Sequence, residues 1–445
     1  MTITEGKYQN KLVIIVLSII IVTGITAVVF FFHLDNTIII NRGPFLKPPY
    51  NKSLRVEVVA EGLSSPTSIA FLGGNNKNNN ILILEKARGT VRLVSNGSLK
   101  EEPILTVNVD AKGERGLLGV ATKIQHNSNK VGSGNDIADV FLYYTQADPL
   151  RNRIYQYQWK NGNIKLVNPK LILDLPAEPG PYHQGGKLKL SQDNKFLYAV
   201  IGDLNSPDTK LQNHKYGKEP NDTSVILKIN IDNISSRTTN IANTMQSASM
   251  QSNKYSSYYY AYGIRNSFGL AVDPITGSIW DTENGEHTYD ELNLVKPGFN
   301  SGWSQIMGPV DRNNNESQKD LVNFEGSKYA DPVFSWKYEI GITDIEFLNS
   351  SKLGQKYTNN IFVGDINYGN LYYFEVNDTR TGIKLNPTTT PDGLSDLVAD
   401  DSRESSPITF GVNFGRITDI ETGPDGFLYI LSYDEGKLYR ILPSY

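Results

Sequence analysis

The residues of this chain best suited to chemistry are His183, the pair Glu114 and Arg115, the pair Arg265 and Asn266, and Arg416. His183 is one of five histidines and stands in PYHQGGKLKL, with Gly185 and Gly186 just behind it. An imidazole changes charge close to neutral pH, and glycines beside it let a ligand approach the main chain, so this stretch suits proton abstraction. The plainer reading is a polar loop histidine that caps a turn. What raises the first reading is placement: Glu114 and Arg115 precede GLLGVA, Arg265 and Asn266 precede SFGLAVD, and Arg416 precedes ITDIE. Arginine, asparagine and histidine together suit an anionic, carbonyl-bearing ligand. For Arg265 and Arg416 the alternative is a structural ion pair with neighbouring acids.

Such residues can meet only if a scaffold brings distant segments together, and the apolar pattern predicts one. Beyond residue 55 there is no helical periodicity; short alternating runs rich in Val, Ile, Tyr and Phe recur between Gly, Asn, Asp and Pro turns. A triplet of strands repeats. Its inner member is TSIAF, GLLGVA, GKLKL, GLAVD, TDIEF and TDIET in turn, each followed by an apolar strand such as FLYAVIGD or NIFVGDIN and then a third such as SVILKIN or NLYYFEV. Sheet units that cannot bury both faces alone are satisfied by radial packing, so the expected fold is all-β, a six-bladed β-propeller over 54–445. The early run LRVEVVAEG (54–62) is expected to complete the last blade and remove an exposed edge. The polar stretch 238–257 and the segment 377–410 read as surface insertions.

Composition narrows the function classes. The formal net charge of -4 is spread without long runs, which argues against a nucleic-acid partner, and the absence of cysteine excludes disulfides, thiolate nucleophiles and thiolate metal sites. Residues 12–32 form an uncharged apolar run of bilayer-spanning length, preceded by Lys7 and Lys11. This predicts one N-terminal transmembrane helix after a short cytoplasmic segment (1–11), then a spacer (33–53) and an outward-facing domain, membrane-anchored and extracellular or periplasmic. The triplets at Asn51, Asn96, Asn221, Asn233, Asn315, Asn349 and Asn377 agree weakly with an exterior location.

The segments GERGLLGVA, HQGGKLKL, YGIRNSFGLAVDPITGSIW, DELNLVKPGFNSGW and RITDIETGPDGFLYIL resemble the glucose/sorbosone dehydrogenase family, the soluble quinoprotein glucose dehydrogenases and aldose sugar dehydrogenases, over roughly 55–445. The resemblance implies a six-bladed propeller that binds pyrroloquinoline quinone (PQQ) and calcium and oxidises the C1 hydroxyl of an aldose to a lactone. It matches His183 to the general base, Arg265 to the cation that polarises the quinone, Asn266 and Arg416 to cofactor contacts, and Gly285 and Glu286 to the calcium position. It also marks departures: Glu286 stands where proline is usual, Asn367 where a cofactor-contacting lysine is expected, Thr418 where a second arginine is expected, and Glu114 where a glutamine shapes the sugar pocket. Arg115 and Trp336 complete the expected substrate pocket, though Trp303 and Trp336 could equally pack between blades. Asp290 and Glu291 of DELN admit a metal reading, but hydrogen bonding to loop backbone suits them better. Two other functions stay open on the residues alone. One is a non-catalytic extracellular propeller for ligand binding or adhesion; the other is a calcium-dependent lactonase-like hydrolase, which would need carboxylates converging on the channel axis, with Glu114 and Glu286 as candidates.

Overall fold

The computed structural model describes residues 43–73, 80–125, 137–160, 165–232, 258–312, 318–385 and 392–444. Arg42–Tyr445 forms one compact unit. Its strands group into successive sheets, each begun by an inner strand: Pro66–Phe71, Leu117–Gln125, Leu188–Leu190, Ser267–Val272, Ile342–Phe347 and Ile417–Thr422. Consecutive inner strands lie against one another, and the last packs against the first, so the sheets close a β-propeller. The second strands Ile81–Glu85, Ile279–Glu283, Ile361–Asp365 and Leu428–Ser432 are buried along their whole length. Each lies inside a sheet whose two faces meet neighbouring sheets, which is why these runs read as continuously apolar.

The sheets are not alike, and this corrects the expected six-bladed propeller: five blades have a full inner strand, and the third sheet does not complete a sixth. Five inner strands run for six to nine residues, and each carries a register shift near its start, between Pro66 and Ile69, Leu117 and Gly119, Ser267 and Gly269, Ile342 and Ile345, and Ile417 and Asp419. The third inner strand is only Leu188–Leu190, in unbroken register with Phe196–Ile201. Residues 183–187, which would have extended it, are irregular. The glycines that admit a ligand are also what interrupt the strand: Gly185 and Gly186 have φ of 62° and 105°, outside the range of a β-strand.

Leu54–Ala60 pairs antiparallel with Lys437–Pro443, Arg55 opposite Leu442, and so joins the two ends of the ring. Phe45–Leu46 adds to the edge strand Thr409–Val412. Segment 377–410, expected as a surface loop, is partly built into the sheets: Val398–Ala399 pairs with Phe334–Trp336, and Leu394 is fully buried. The stretch 238–257 and the triplets at Asn233 and Asn315 lie outside the described residues. So does the expected membrane helix at 12–32, and no helix among the described residues is long and apolar enough to cross a membrane. The expected transmembrane anchor, and the single-pass outward-facing localisation built on it, are corrected accordingly.

The fold has one consequence for function. Inner and second strands run antiparallel, as do second and third. Therefore loops that lead into inner strands and turns that join second to third strands emerge at the same end of the ring. His183, Arg265 and Arg416 belong to the first kind, and Gly285, Glu286 and Asn367 to the second.

Candidate active site

His183 is held before anything binds it. Its backbone adopts φ 57°, and its N–H donates to Glu114 Oε2 at 2.7 Å. Its Nδ1 meets Asp203 Oδ1 at 2.6 Å. Asp203 ends the run FLYAVIGD, so the strand that pairs with the inner strand returns the carboxylate to the same mouth. This carboxylate is 1% exposed, and also accepts from the Asn205 N–H at 2.7 Å and from Trp303 Nε1 at 2.8 Å. Because the carboxylate is an acceptor, Nδ1 is the donor of this pair, which in a neutral ring leaves the lone pair on Nε2.

Arg265 stands beside this pair. Its carbonyl accepts from the Asp203 N–H at 2.9 Å, its own N–H donates to Glu283 Oε1 at 2.6 Å, and its Nη1 donates to Asn284 O at 3.0 Å. A Cβ on Gly202 would lie 2.5 Å from the carbonyl oxygens of both His183 and Arg265, so only glycine lets these two backbones approach. Asn266 Nδ2 donates to Glu114 Oε2 at 3.2 Å, while its buried Oδ1 has no partner among the described residues. Glu283 is fully buried; burial pushes its carboxyl up to about 7, although Ser301 Oγ (2.5 Å) and the Arg265 N–H favour the charged form.

From Asn266 the contacts continue around the mouth. The Asn266 carbonyl accepts from the Asn284 N–H at 3.0 Å, and the Gly285 N–H donates to Asp290 Oδ1 at 3.1 Å. Asp290 Oδ2 accepts from Ile340 and Ile342 N–H at 2.9 and 3.1 Å, and Glu291 Oε1 from Gly308 N–H at 2.6 Å. Both DELN acids thus accept hydrogen bonds from loop backbone, and Glu291 Oε2 also accepts from Asn293 Nδ2 at 3.1 Å. Burial raises the Asp290 carboxyl to about 6. A Cβ at Gly285 would lie 2.1 Å from Thr288 O, and the adjoining Glu286 is exposed. Asn367 is exposed, donating through Nδ2 to Glu339 O at 3.4 Å. The Phe414 N–H then donates to Gly369 O at 3.0 Å, which brings the Arg416 loop against the Asn367 turn. Arg416 is exposed, and its guanidinium has no hydrogen bond or ion pair among the described residues.

The structure therefore strings His183, Glu114, Arg265, Asn266, Gly285, Glu286, Asn367 and Arg416 along one arc. Three other expected residues do different work. Arg115 is 5% exposed and donates to Ala177 O at 2.6 Å and Gly180 O at 3.3 Å, a loop anchor in place of the expected pocket residue. Trp336 is fully buried, 4.8 Å from Phe334 and 5.3 Å from Tyr372 between ring centres, so it packs the core and walls no pocket. Thr418 Oγ1 donates to Pro66 O at 2.9 Å and ties the last inner strand to the first. Glu114 accepts from His183, Asn266 and Gln184, joining separate sheets as a strut.

Below the mouth lies a charge cluster that the sequence reading missed. Lys187 Nζ contacts Asp344 Oδ2 at 2.7 Å, Asp419 Oδ1 at 2.6 Å and Glu421 Oε1 at 3.5 Å. Lys189 Nζ contacts Glu346 at 2.9 Å and Glu421 at 2.8 Å. Burial opposes charge on Asp419, but Lys187 outweighs it and holds that carboxyl at about 2. The signal was present as TDIEF, TDIET and GKLKL: acids or lysines two apart on inner strands face the channel together. These are the carboxylates on the axis, and lysines already occupy them. The hydrolase reading named Glu114 and Glu286, and neither is among them. Asp203 was the other omission, to which the turn after FLYAVIGD pointed; Trp303, read as a pocket wall or as packing between blades, donates instead to Asp203.

Residues 63–440 match the family model described as Glucose / Sorbosone dehydrogenase. The chain is 24% identical over 415 residues to the aldose sugar dehydrogenase YliI of Escherichia coli K12, covering 88% of this chain and 93% of that one. It is 26% identical over 275 residues to quinoprotein glucose dehydrogenase B of Acinetobacter calcoaceticus, covering 57% and 53%. Among solved structures, the PQQ-bound aldose sugar dehydrogenase of Streptomyces coelicolor shares the fold with a TM-score of 0.58 at 22% identity, covering 88% of this chain and 98% of that one. A match of this extent, over a mouth arranged as described, means that the chain belongs to the glucose/sorbosone dehydrogenase family.

Proposed function

We propose that this protein is a sugar dehydrogenase that oxidises the C1 hydroxyl of an aldose to a lactone, with PQQ as electron acceptor and calcium beside it. The observation that carries the proposal is the His183–Asp203 pair, 2.6 Å apart, set against Arg265 and Asn266 at one mouth. The residues present fit the cofactor. Among the described residues Arg416 offers a guanidinium without a partner, Asn266 a buried oxygen without one, and Gly285 a backbone that a side chain could not replace. Arg265, Asn266 and Arg416 would hold PQQ; the Gly285 carbonyl and the Glu286 carboxylate would offer calcium hard oxygen ligands. Asn367 and Thr418 contribute no charge, so binding of the anionic cofactor rests on the two arginines. When bound, PQQ supplies a two-electron acceptor that no protein side chain provides.

The protein's own share is acid–base chemistry and electrostatics. His183 Nε2 takes the hydroxyl proton, Asp203 stabilises the imidazolium that results, and Arg265 places a fixed positive charge beside the reacting centre. Supporting the reading are the family match and the sugar dehydrogenases similar to this chain. The test is dye-linked oxidation of aldoses by the full chain supplied with PQQ and calcium. We expect turnover that His183→Ala lowers by ~100-fold or more, the usual size of a general-base contribution. Absence of turnover across aldoses, or full turnover in His183→Ala, would overturn the proposal.

A further inference from the structure

The base pair and the arginine share one neighbour. Trp303 donates its indole N–H to Asp203 Oδ2 at 2.8 Å, and its ring lies 5.4 Å from the Arg265 guanidinium carbon. Its own backbone is fixed from two sides, the N–H donating to Gly263 O at 3.2 Å and the carbonyl accepting from Asn213 Nδ2 at 2.8 Å. A tryptophan in a propeller is ordinarily packing material, and the other three here behave so: Trp159, Trp280 and Trp336 are buried, with no partner for the indole N–H among the described residues. Of the four tryptophans, Trp303 alone spends its N–H on a charged group, and that group is the one that orients His183.

We infer that Trp303 is a positioning residue of the proposed dehydrogenase site, setting the orientation of Asp203 while packing against Arg265. The inference rests on the functional reading above. Asp203 Oδ1 serves His183 Nδ1 and the Asn205 N–H, so the Trp303 bond is what occupies Oδ2 and stops the carboxylate from turning. Without that donor the carboxylate can turn, its hold on the Nδ1 proton loosens, and Nε2, the nitrogen that must carry the lone pair, is protonated in a share of the molecules.

The test uses the full chain with two replacements of Trp303. Trp303→Phe removes the N–H and part of the ring; β-(3-benzothienyl)alanine at the same position exchanges only the N–H for sulfur and so preserves packing. Nitrogen-15 NMR of the His183 ring, recorded without cofactor, is expected to show the Nδ1–H tautomer alone in the native protein and a tautomer mixture in both variants. After reconstitution with PQQ and calcium we expect kcat to fall ~10-fold, the size of one charge-assisted hydrogen bond, while KM stays within about twofold. Native tautomer ratios and a native kcat in the sulfur variant would overturn the assignment of Trp303. Turnover surviving in His183→Ala would instead overturn the site itself, so the two failures are distinct.

Discussion

Replacing Lys187 by methionine tests how the interrupted third sheet is held in the ring. Its inner strand spans only Leu188–Leu190, yet Lys189 from that strand and Lys187 just before it reach acids of the last two inner strands. Methionine keeps the length and apolar stem but leaves Asp344 and Asp419, both 0% exposed, without their cation. Removing one partner of a buried ion pair costs ~3–5 kcal/mol. With an unfolding entropy near ~2.1 cal/mol/K per residue, a domain of about 400 residues would lose ~4–6 °C in Tm. The sign with pH follows from the carboxyls. In the native protein Lys187 holds Asp419 down at about 2, so its stabilisation is present above the ordinary carboxyl value near 3.8 and is lost as pH falls through about 2. In the variant both acids are buried and uncompensated, their proton affinity rises, and the Tm deficit shrinks as pH falls. Differential scanning calorimetry of native protein, Lys187→Met and the triple variant Lys187→Met, Asp344→Asn, Asp419→Asn at pH 7 and pH 5 measures this. The triple variant is expected to regain most of the loss. A Lys187→Met protein within 1 °C of native at pH 7 would refute the reasoning.

Other substitutions separate site from scaffold. Glu283→Gln keeps both contacts, since the amide oxygen can accept from the Arg265 N–H and the amide nitrogen can donate to Ser301 Oγ. With the native carboxyl raised by burial to about 7, its contribution is full below its ordinary value near 4.5 and lost as pH rises past 7. The glutamine variant is therefore expected to be more stable than native at pH 8, by ~1–3 kcal/mol in urea titrations, with the advantage gone at pH 5. Trp336→Phe, a core change, is expected to cost ~1–3 kcal/mol of stability while leaving KM for any aldose unchanged; a KM shift at unchanged Tm would return Trp336 to the substrate pocket.

Much of the scaffold could be read from the chain because burial imposes a period. The runs at 67–71, 269–273, 343–347 and 418–422 lie within the observed inner strands Pro66–Phe71, Ser267–Val272, Ile342–Phe347 and Ile417–Thr422 to within a residue or so. The third inner strand is shorter than the sequence suggests because GKLKL has the alternation of a strand, whereas the glycines before its core take positive φ and end the pairing. Side-chain partners were less legible. Arg115 sits beside Glu114 in sequence, yet one turns to loop carbonyls and the other to His183, a divergence set by backbone direction that residue type does not report. Trp303 and Trp336 read alike and differ in whether an acceptor lies within reach of the indole. Asp203 follows His183 by twenty positions, and only knowing that paired strands return to the same mouth makes them neighbours.

The central claim is that one mouth, charged by Arg265 and Arg416, receives an anionic quinone beside a fixed base. Calorimetric titration of the full chain with PQQ in the presence of calcium tests it most directly, with Arg416→Ala alongside. Saturable binding at one site per chain, weakened ~10-fold or more by Arg416→Ala and accompanied by a rise in Tm, is the predicted result. No heat, no Tm change and no absorbance change on adding PQQ and calcium would contradict the account.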